Sequence, residues 1–91
     1  GDVMPIVRIE PQWPREALVA GIEGYVVVEV TIAADGSVKE AFVIESNPKR
    51  LFDRNVIRAV LKWKFKPRII NGVAVERKAI QRLDFLLSNI D

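Results

Sequence analysis

The stretch that decides the fold is V-A-V-E-R-K-A-I-Q-R-L-D-F-L-L-S-N-I, residues Val73 to Ile90. Apolar side chains such as Val75, Ala79 and Leu83 recur at every second position, and charged ones such as Arg82 lie between them. A period of two predicts a strand with one buried and one solvated face. Because no turn or strand follows it in the sequence, we expect a sheet edge with backbone N–H and C=O groups free on one side.

Two further strands are predicted upstream, and they form a hairpin. In the first, which Gly24 opens, one parity is purely aliphatic. Asp35-Gly36 then marks a tight turn, and V-K-E-A-F-V-I-E-S, residues 38–46, forms the second strand. Its inward face stays open, because a two-residue turn directs Ala41 and Val43 inward and a bulged turn directs Val38, Phe42 and Ile44 inward. The aliphatic parity of the first strand consists of Val26, Val28, Val30 and Ile32.

Two helices complete the element pattern. W-P-R-E-A-L-V-A-G, residues 13–21, has Pro at the first helical position and Gly just past the end, and its Leu18 and Ile22 are expected to face the core. The main helix is predicted over Leu51–Lys64, with apolar residues at spacings of three and four. This apolar stripe consists of Phe52, Val56, Ala59, Val60 and Trp63.

The order helix, strand, strand, helix, strand predicts an α+β fold. The last strand joins the sheet beside the first and antiparallel to it, so the sheet has three antiparallel strands in the order 2-1-3. Right-handed crossover then puts both helices on one face of the sheet. We expect residues 1–91 to form a single domain in which residues 1–11 are a flexible arm, because Pro5 and Pro11 interrupt any periodicity there.

Composition excludes most chemistry. The 91 residues are 49% hydrophobic and include no histidine and no cysteine, so the commonest general base, the commonest metal ligand and any thiol nucleophile are absent. The five glycines do not cluster into a phosphate loop. We therefore predict a protein that is not an enzyme, with no catalytic residues, no cofactor and no metal site. The abrupt start at Gly1-Asp2 suggests a piece of a longer chain.

The net charge of +2 conceals an uneven distribution. Residues 1–48 carry three Lys/Arg against eight Asp/Glu, whereas residues 49–82 carry eleven Lys/Arg against two. A basic second half is compatible with nucleic acid, anionic lipid or an acidic peptide as partner. The explanation that we favour is a solvated helix face and a charged edge strand that discourages aggregation.

Aromatic and glycine motifs carry a resemblance to a known family. In order they are P-x-W-P-x-x-A at 11–17, G-I-E-G-x-V-x-V-x-V-x-I at 21–32, D-G-x-V at 35–38 and W-K-F-K-P at 63–67. This order, with a closing strand, is similar to the C-terminal domain of the TonB family over about Pro11 to Leu87. The family commonly has Tyr where this chain has Trp13.

The resemblance implies a mechanical function. TonB-like proteins lie in the Gram-negative periplasm, anchored in the inner membrane by an N-terminal helix and driven by ExbB and ExbD. Their C-terminal domain binds the TonB box of outer-membrane transporters for iron-siderophores, haem or cobalamin, and the box adds a strand to the free sheet edge. By position, the resemblance implies these partner-binding residues: Gln12, Trp13, Gln81, Arg82, Leu83, Asp84, Phe85 and Leu86.

Two alternative functions and one question of oligomeric state remain at the level of sequence. The cations of the main helix, among them Arg54, Arg58 and Lys62, would suit a nucleic-acid-binding α/β domain, although only Tyr25 on the exposed sheet face is suited to base stacking. A TolA-like periplasmic adaptor could share the architecture. A free edge could also pair with its own copy in a homodimer.

Overall fold

Within residues 3–90, which the computed structural model describes, the chain forms two α-helices, seven strands and a 3₁₀ turn. None of these helices is long and apolar enough to cross a membrane. The helices are α1 (Arg15–Ala20) and α2 (Asp53–Val60), and the 3₁₀ turn spans Leu87–Asn89. The strands are β1 (Pro5–Val7), β2 (Gly24–Ile32), β3 (Val38–Asn47), β4 (Lys64–Phe65), β5 (Arg68–Ile70), β6 (Val73–Val75) and β7 (Arg77–Phe85).

The central sheet has the order β3-β2-β7, with both pairings antiparallel. This confirms the predicted order 2-1-3 and the α+β class. Strand β2 lies in the middle, paired on both edges, and its alternating valines bury one face completely: Val26, Val28 and Val30 are 0% exposed. Helix α2 packs against that face. The predicted apolar stripe extends past both ends of the helix, and all of its residues are buried: Phe52, Val56, Ala59, Val60 and Trp63.

The inward face of β3 combines the two alternatives left open by the sequence. Ala41 and Val43 lie opposite Val30 and Val28 and pack against the core, as the two-residue turn predicts. The β2–β3 register shifts between Thr31 and Ile32, which brings Val38 inward as well. Phe42 and Ile44 are instead about half exposed on the other face. Bulges of this kind insert an extra residue and therefore change which side chains point inward.

The closing stretch is divided, which corrects the prediction of one long strand over Val73–Ile90. Residues 73–75 pair with β5 in a separate hairpin. Its turn residues Asn71 and Gly72 have φ of 50° and 79°, the positive values that a tight two-residue turn requires. Of the closing stretch, β7 alone joins the central sheet, and its nine residues match all nine residues of β2. After Phe85 the chain leaves the sheet and forms the 3₁₀ turn.

Both helices are shorter than predicted. Helix α2 ends at Val60 rather than Lys64, because the amides of Lys62 and Trp63 bond to carbonyls three residues back and the chain then enters β4. Helix α1 has only six residues, so one side chain, Ala17, reaches the core. The prediction that Leu18 faces the core is therefore wrong, since it is 47% exposed, whereas Ile22 is partly buried against the core as expected.

The N-terminal arm contains regular structure in its described part. Strand β1 pairs with β4, where Pro5 lies opposite Phe65 and Val7 opposite Lys64. The indole Nε1 of Trp63 donates to the carbonyl oxygen of Ile9 at 2.8 Å. Residues 1 and 2 of the predicted arm lie outside the described residues. The arm then continues to Trp13, and its residues Arg8, Glu10, Pro11 and Trp13 line the candidate site.

Candidate functional site

Strand β7 presents a free backbone edge. It pairs with β2 on one side along its whole length, and within residues 3–90 no strand pairs with its other side. In an antiparallel ladder, alternate residues direct their N–H and C=O groups to the partner strand, and the residues between direct theirs outward. About half of the β7 residues therefore offer unpaired backbone groups. Such an edge is a template for one more strand.

A groove runs beside the C-terminal half of β7. It has a volume of about 610 Å³ and lies between the N-terminal arm and the strand. One wall comes from the arm and the other from β7 and the residues after it. A groove with a strand edge on one side admits an extended peptide and restrains its side chains on the other. Its lining residues are Arg8, Glu10, Pro11, Trp13, Arg82, Asp84, Phe85, Leu86, Asn89 and Ile90.

An aromatic cluster fixes Trp13 at this groove. The Trp13 ring meets Phe52 edge-on at 5.8 Å between ring centroids and Phe85 at 5.5 Å, while Phe52 and Phe85 stack at 4.0 Å. Edge-to-face geometry is favourable because ring edges are positive and ring faces negative. Pro14, directly before α1, holds an extended backbone at φ −61° and ψ 136°. The half-buried Trp13 thus joins the core to the groove wall.

Ion pairs border the groove on both walls. On the arm, Arg8 Nε lies 3.0 Å from Glu10 Oε1, and its guanidinium lies 4.7 Å from the Trp63 ring centroid. On β7, Arg82 Nε lies 3.0 Å from Asp84 Oδ1. Each wall therefore carries one cation and one anion. Exposed pairs of this kind add little stability, and their charges balance, so the groove does not select a strongly charged peptide.

Tyr25 supports the position of Arg82 from the outer face of the sheet. The Arg82 guanidinium lies 4.0 Å from the Tyr25 ring centroid, a cation–π distance. The Tyr25 hydroxyl donates to Glu45 on β3. That hydrogen bond, followed by desolvation and the charge of Glu45, raises the pKa of Tyr25, while Arg82 opposes the rise. Tyr25 thus stays protonated at neutral pH and connects β3 to the groove residue on β7.

The structure divides the eight sequence-predicted residues into three groups: five that line the groove, two on β7 whose side chains do not reach it (Leu83 and Gln81), and Gln12. Those that line the groove are Trp13, Arg82, Asp84, Phe85 and Leu86. Leu83 is 1% exposed and packs in the core, so only its backbone belongs to the edge. Gln81 donates from Nε2 to the carbonyl oxygen of Val3 at 2.8 Å, so its side chain contacts the arm.

Gln12 forms the third group. It lies at a second cavity of about 300 Å³ between the arm and α2, away from β7. The Asn55 side chain donates from Nδ2 to its carbonyl oxygen at 2.8 Å. The side chain of Gln12 is exposed. Gln12 would therefore affect a peptide in the β7 groove only indirectly, through the hydrogen bond from Asn55 that helps to hold the arm in position.

Sequence reasoning missed half of the groove lining. Arg8, Glu10 and Pro11 belong to an arm without periodicity, and Asn89 and Ile90 were assigned to the strand. The available signal was the Arg8–Glu10 spacing of two, which suits an extended segment with both side chains on one face. For metals, the described residues contain no group of three or more His, Cys, Asp or Glu that could hold an ion.

The fold and the edge together define a class: a small α+β domain whose accessible feature is a sheet edge beside a groove, suited to binding extended segments. Comparison with known proteins names the family. The family model described as "Gram-negative bacterial TonB protein C-terminal" matches residues 9–87. The chain belongs to this family, which confirms the resemblance seen in the motifs. The assignment also confirms that the chain is not an enzyme.

Individual relatives agree with the family. The chain is 43% identical over 84 residues to Protein TonB of Pseudomonas aeruginosa, covering 92% of this chain and 25% of that protein. It is 32% identical over 71 residues to Protein TonB of Vibrio cholerae, covering 78% of this chain and 29% of that protein. The chain thus spans between a quarter and a third of the length of these two relatives.

Two solved structures share the fold. The solution NMR structure of the Pseudomonas aeruginosa TonB CTD has a TM-score of 0.79 and 40% sequence identity, covering 100% of this chain and 92% of that one. The TonB2 protein of Vibrio anguillarum has a TM-score of 0.68 and 37% identity, covering 93% of this chain and 81% of that one. Family and fold therefore favour a TonB-type domain over the nucleic-acid-binding and TolA-like alternatives.

Proposed function

We propose that this chain is the C-terminal domain of a TonB-type energy transducer, and that it binds the TonB box of outer-membrane transporters as an added strand on β7. The observation that carries the proposal is the free β7 edge beside the groove of Trp13, in a chain of the TonB C-terminal family. The bound segment would lie between the arm and the strand. Its backbone would pair with β7 and its side chains would contact the groove walls.

Strand addition suits a partner whose sequence varies. Main-chain hydrogen bonds supply the affinity, and pockets for alternate side chains supply what specificity there is. Arg82 and residues 84–86 line the groove, so an added strand that spans positions 82–86 forms about four or five backbone bonds. Each is worth roughly 0.5–1.5 kcal/mol net, which gives about 2–7 kcal/mol before the cost of association. Binding of this strength is reversible.

The same geometry suits mechanical work. A force directed along an added strand loads all of its backbone hydrogen bonds at the same time. A force perpendicular to the strand would break the same bonds one after another, so the parallel direction is the more resistant one. Strand β7 is itself anchored, because all nine of its residues pair with β2 and Leu83 and Phe85 are buried. Force on the guest would therefore pass into the core of the domain.

The remaining features of the proposal follow from the family. The domain would work in the periplasm, as part of a protein anchored in the inner membrane by an N-terminal helix. ExbB and ExbD would drive it through the proton-motive force, and the transported nutrients would be iron-siderophores, haem or cobalamin. ExbB and ExbD would act through parts of the protein beyond the region that this chain shares with its relatives.

Peptides with single N-methylated residues test the binding mode. A methyl group removes one backbone donor without changing the side chain, so a series of box peptides methylated at successive positions reports on which amides pair. Strand addition predicts that affinity, measured by fluorescence anisotropy, falls at alternate positions and is retained at those between. An even loss at every position, or no loss anywhere, would refute pairing with an edge.

A proline scan of β7 would be a weaker test. Leu83→Pro removes a backbone donor, but the residue is 1% exposed and the change would also disturb the core. N-methylated peptides leave the domain unchanged, and the unmethylated peptide is their matched control. A box peptide with its sequence scrambled separates groove contacts from backbone pairing.

A further inference from the structure

The hairpin formed by β5 and β6 projects from the rest of the chain. Arg68, Ile69 and Ile70 pair with Val75, Ala74 and Val73, and the two strands form a sheet of their own. A side chain added at Gly72 would meet no atom within 4 Å. The described residues have principal-axis extents of 51 × 25 × 21 Å, an elongated shape. The TonB box proposal does not use this hairpin.

The end of the hairpin is apolar on both faces. Ile69 is 58% exposed and, with Ala74, occupies one face, while Ile70 and Val73 occupy the other and are 45% and 61% exposed. Isolated two-stranded hairpins are at best marginally stable in water. Exposed apolar residues that are contiguous at a projecting tip indicate a contact surface. These hydrophobic residues lie beside the turn and do not line a pocket. The tip is therefore suited to inserting into an apolar medium, since it offers no cavity for a ligand.

Cations surround the base of the hairpin. Between residues 64 and 78 the chain carries five Lys/Arg and one acidic residue, Glu76, and Glu76 is already paired with Lys39 at 3.1 Å. Lys66 and Arg68 are exposed, and among the described residues neither forms an ion pair. Arg77 holds the base together by donating from its guanidinium to the carbonyl oxygen of Lys66 at 3.0 Å.

We propose that this hairpin docks on an anionic phospholipid surface, with its apolar tip in the acyl boundary and its cations among the headgroups. An apolar segment bordered by Lys and Arg is the pattern of interfacial membrane binding, and each cation adds to the attraction of anionic lipid. The charge of the hairpin base complements such a surface. An acidic peptide would use the cations but would leave the apolar tip in water.

The hairpin and the β7 groove lie at opposite ends of one strand. The hairpin joins β7 just before Arg77, and the groove begins at Arg82. At about 3.3 Å per residue, these two positions are roughly 17 Å apart along the strand. The domain could therefore contact a bilayer at one end and hold a peptide at the other.

Vesicle flotation tests the proposal. We expect this chain to float with vesicles of phosphatidylcholine and phosphatidylglycerol and to remain in solution with phosphatidylcholine alone. Lys66→Gln with Arg68→Gln should weaken binding about thirtyfold, since each lost cation costs about fivefold. The matched control is Arg15→Gln with Arg54→Gln, which removes the same charge at the other end and should reduce binding much less. Equal losses in the two variants would overturn the assignment to the hairpin.

Tip variants separate insertion from charge attraction. Ile69→Thr with Val73→Thr keeps β-branched side chains, so the hairpin should persist, but it removes apolar area and should weaken binding about tenfold or more. Because the chain contains no cysteine, Val73→Cys gives a single site for an environment-sensitive fluorophore, whose emission should shift to the blue on anionic vesicles. No shift despite flotation would contradict insertion. If the chain does not float but associates with itself or binds an acidic peptide, and Ile69→Thr abolishes that association, the bilayer proposal is overturned. The partner of the hairpin is then the second copy or the peptide.

Discussion

Trp13 gives the sharpest prediction about how the groove is built. The ring makes two edge-to-face contacts, with Phe52 at 5.8 Å and with Phe85 at 5.5 Å. Removing a buried Trp side chain costs about 3–5 kcal/mol, and Trp13 is only half-buried. We therefore expect Trp13→Ala to lower the free energy of unfolding by about 2–3 kcal/mol. For a domain of this size, that corresponds to a fall in Tm of roughly 8–24 °C.

Trp13→Tyr is the informative companion. A tyrosine ring preserves an aromatic edge toward both phenylalanines, so its cost should stay below about 1 kcal/mol. Urea unfolding can be followed through Trp63, which is fully buried and remains in both variants. Val19→Ala, at a side chain 77% exposed, controls for the general effect of truncation and should be nearly neutral.

Peptide binding should follow the same series. Binding of a box peptide is measured well below the unfolding temperature of each variant. If Trp13 forms the groove wall, Trp13→Ala weakens binding and Trp13→Tyr retains most of the affinity. An alanine variant with unchanged stability would refute the aromatic cluster. A destabilised variant with normal affinity would keep the cluster but remove Trp13 from the binding surface.

Three further predictions concern the arm, the turn and its carboxylate. Gln12→Ala should leave both Tm and box-peptide affinity nearly unchanged in a titration, because the side chain is exposed and lies away from the β7 groove; a loss of affinity at unchanged Tm would place the Gln12 side chain against the peptide, as the family resemblance implies. Gly36→Ala should cost about 3 kcal/mol or more in a denaturant titration, because an added Cβ lies 2.0 Å from the Phe65 carbonyl oxygen and φ is +93°. Gly72→Ala, with φ of +79° and open space, is the matched control and should cost about 1 kcal/mol. Hydrogen bonds from the side chain and backbone of Ser37 lower the pKa of Asp35, so Asp35 stabilises the fold above its unfolded pKa of about 3.9 and loses this effect as pH falls through the lower folded value. Asp35→Asn should therefore flatten the dependence of Tm on pH below about 4, and an unchanged slope would exclude this contribution.

The sequence predicted the central architecture because its signals there are local and periodic. The valines of β2 alternate over nine residues, and the stripe of α2 recurs at helical spacing, so each element identifies its own buried face. Together with the alternation of the closing stretch and the Pro and Gly that bound the first helix, these patterns and the turn at Gly36 predict the five elements and their sheet order. Each of these signals lies within about ten residues.

Bulges and hairpins were harder to predict. The inward face of β3 depends on a register shift at Ile32 that pairing with β2 determines. Asn71-Gly72 is a typical turn dipeptide, but the three-residue strands on either side of it carry too little alternation to be separated from β7. The alternating pattern of residues 73–85 therefore read as one strand.

The site was predicted only in part, for a physical reason. The free edge follows from the topology, but the groove wall depends on where the arm lies. Contacts such as Trp63 with Ile9 and Gln81 with Val3 join residues 54 and 78 positions apart. Long-range contacts of this kind leave no periodic signal in the arm, so Arg8, Glu10 and Pro11 could not be assigned to the site from sequence.

Amide hydrogen exchange tests the central proposal, strand addition on β7, most directly. With a saturating box peptide, we expect exchange to slow at alternate residues between Gln81 and Leu86, whose N–H groups point away from β2, and to stay unchanged along β3. The complementary amides of β7, already bonded to β2, should change little. Protection confined to the β3 edge or to α2, or no protection in residues 81–86 despite binding, would contradict the proposal.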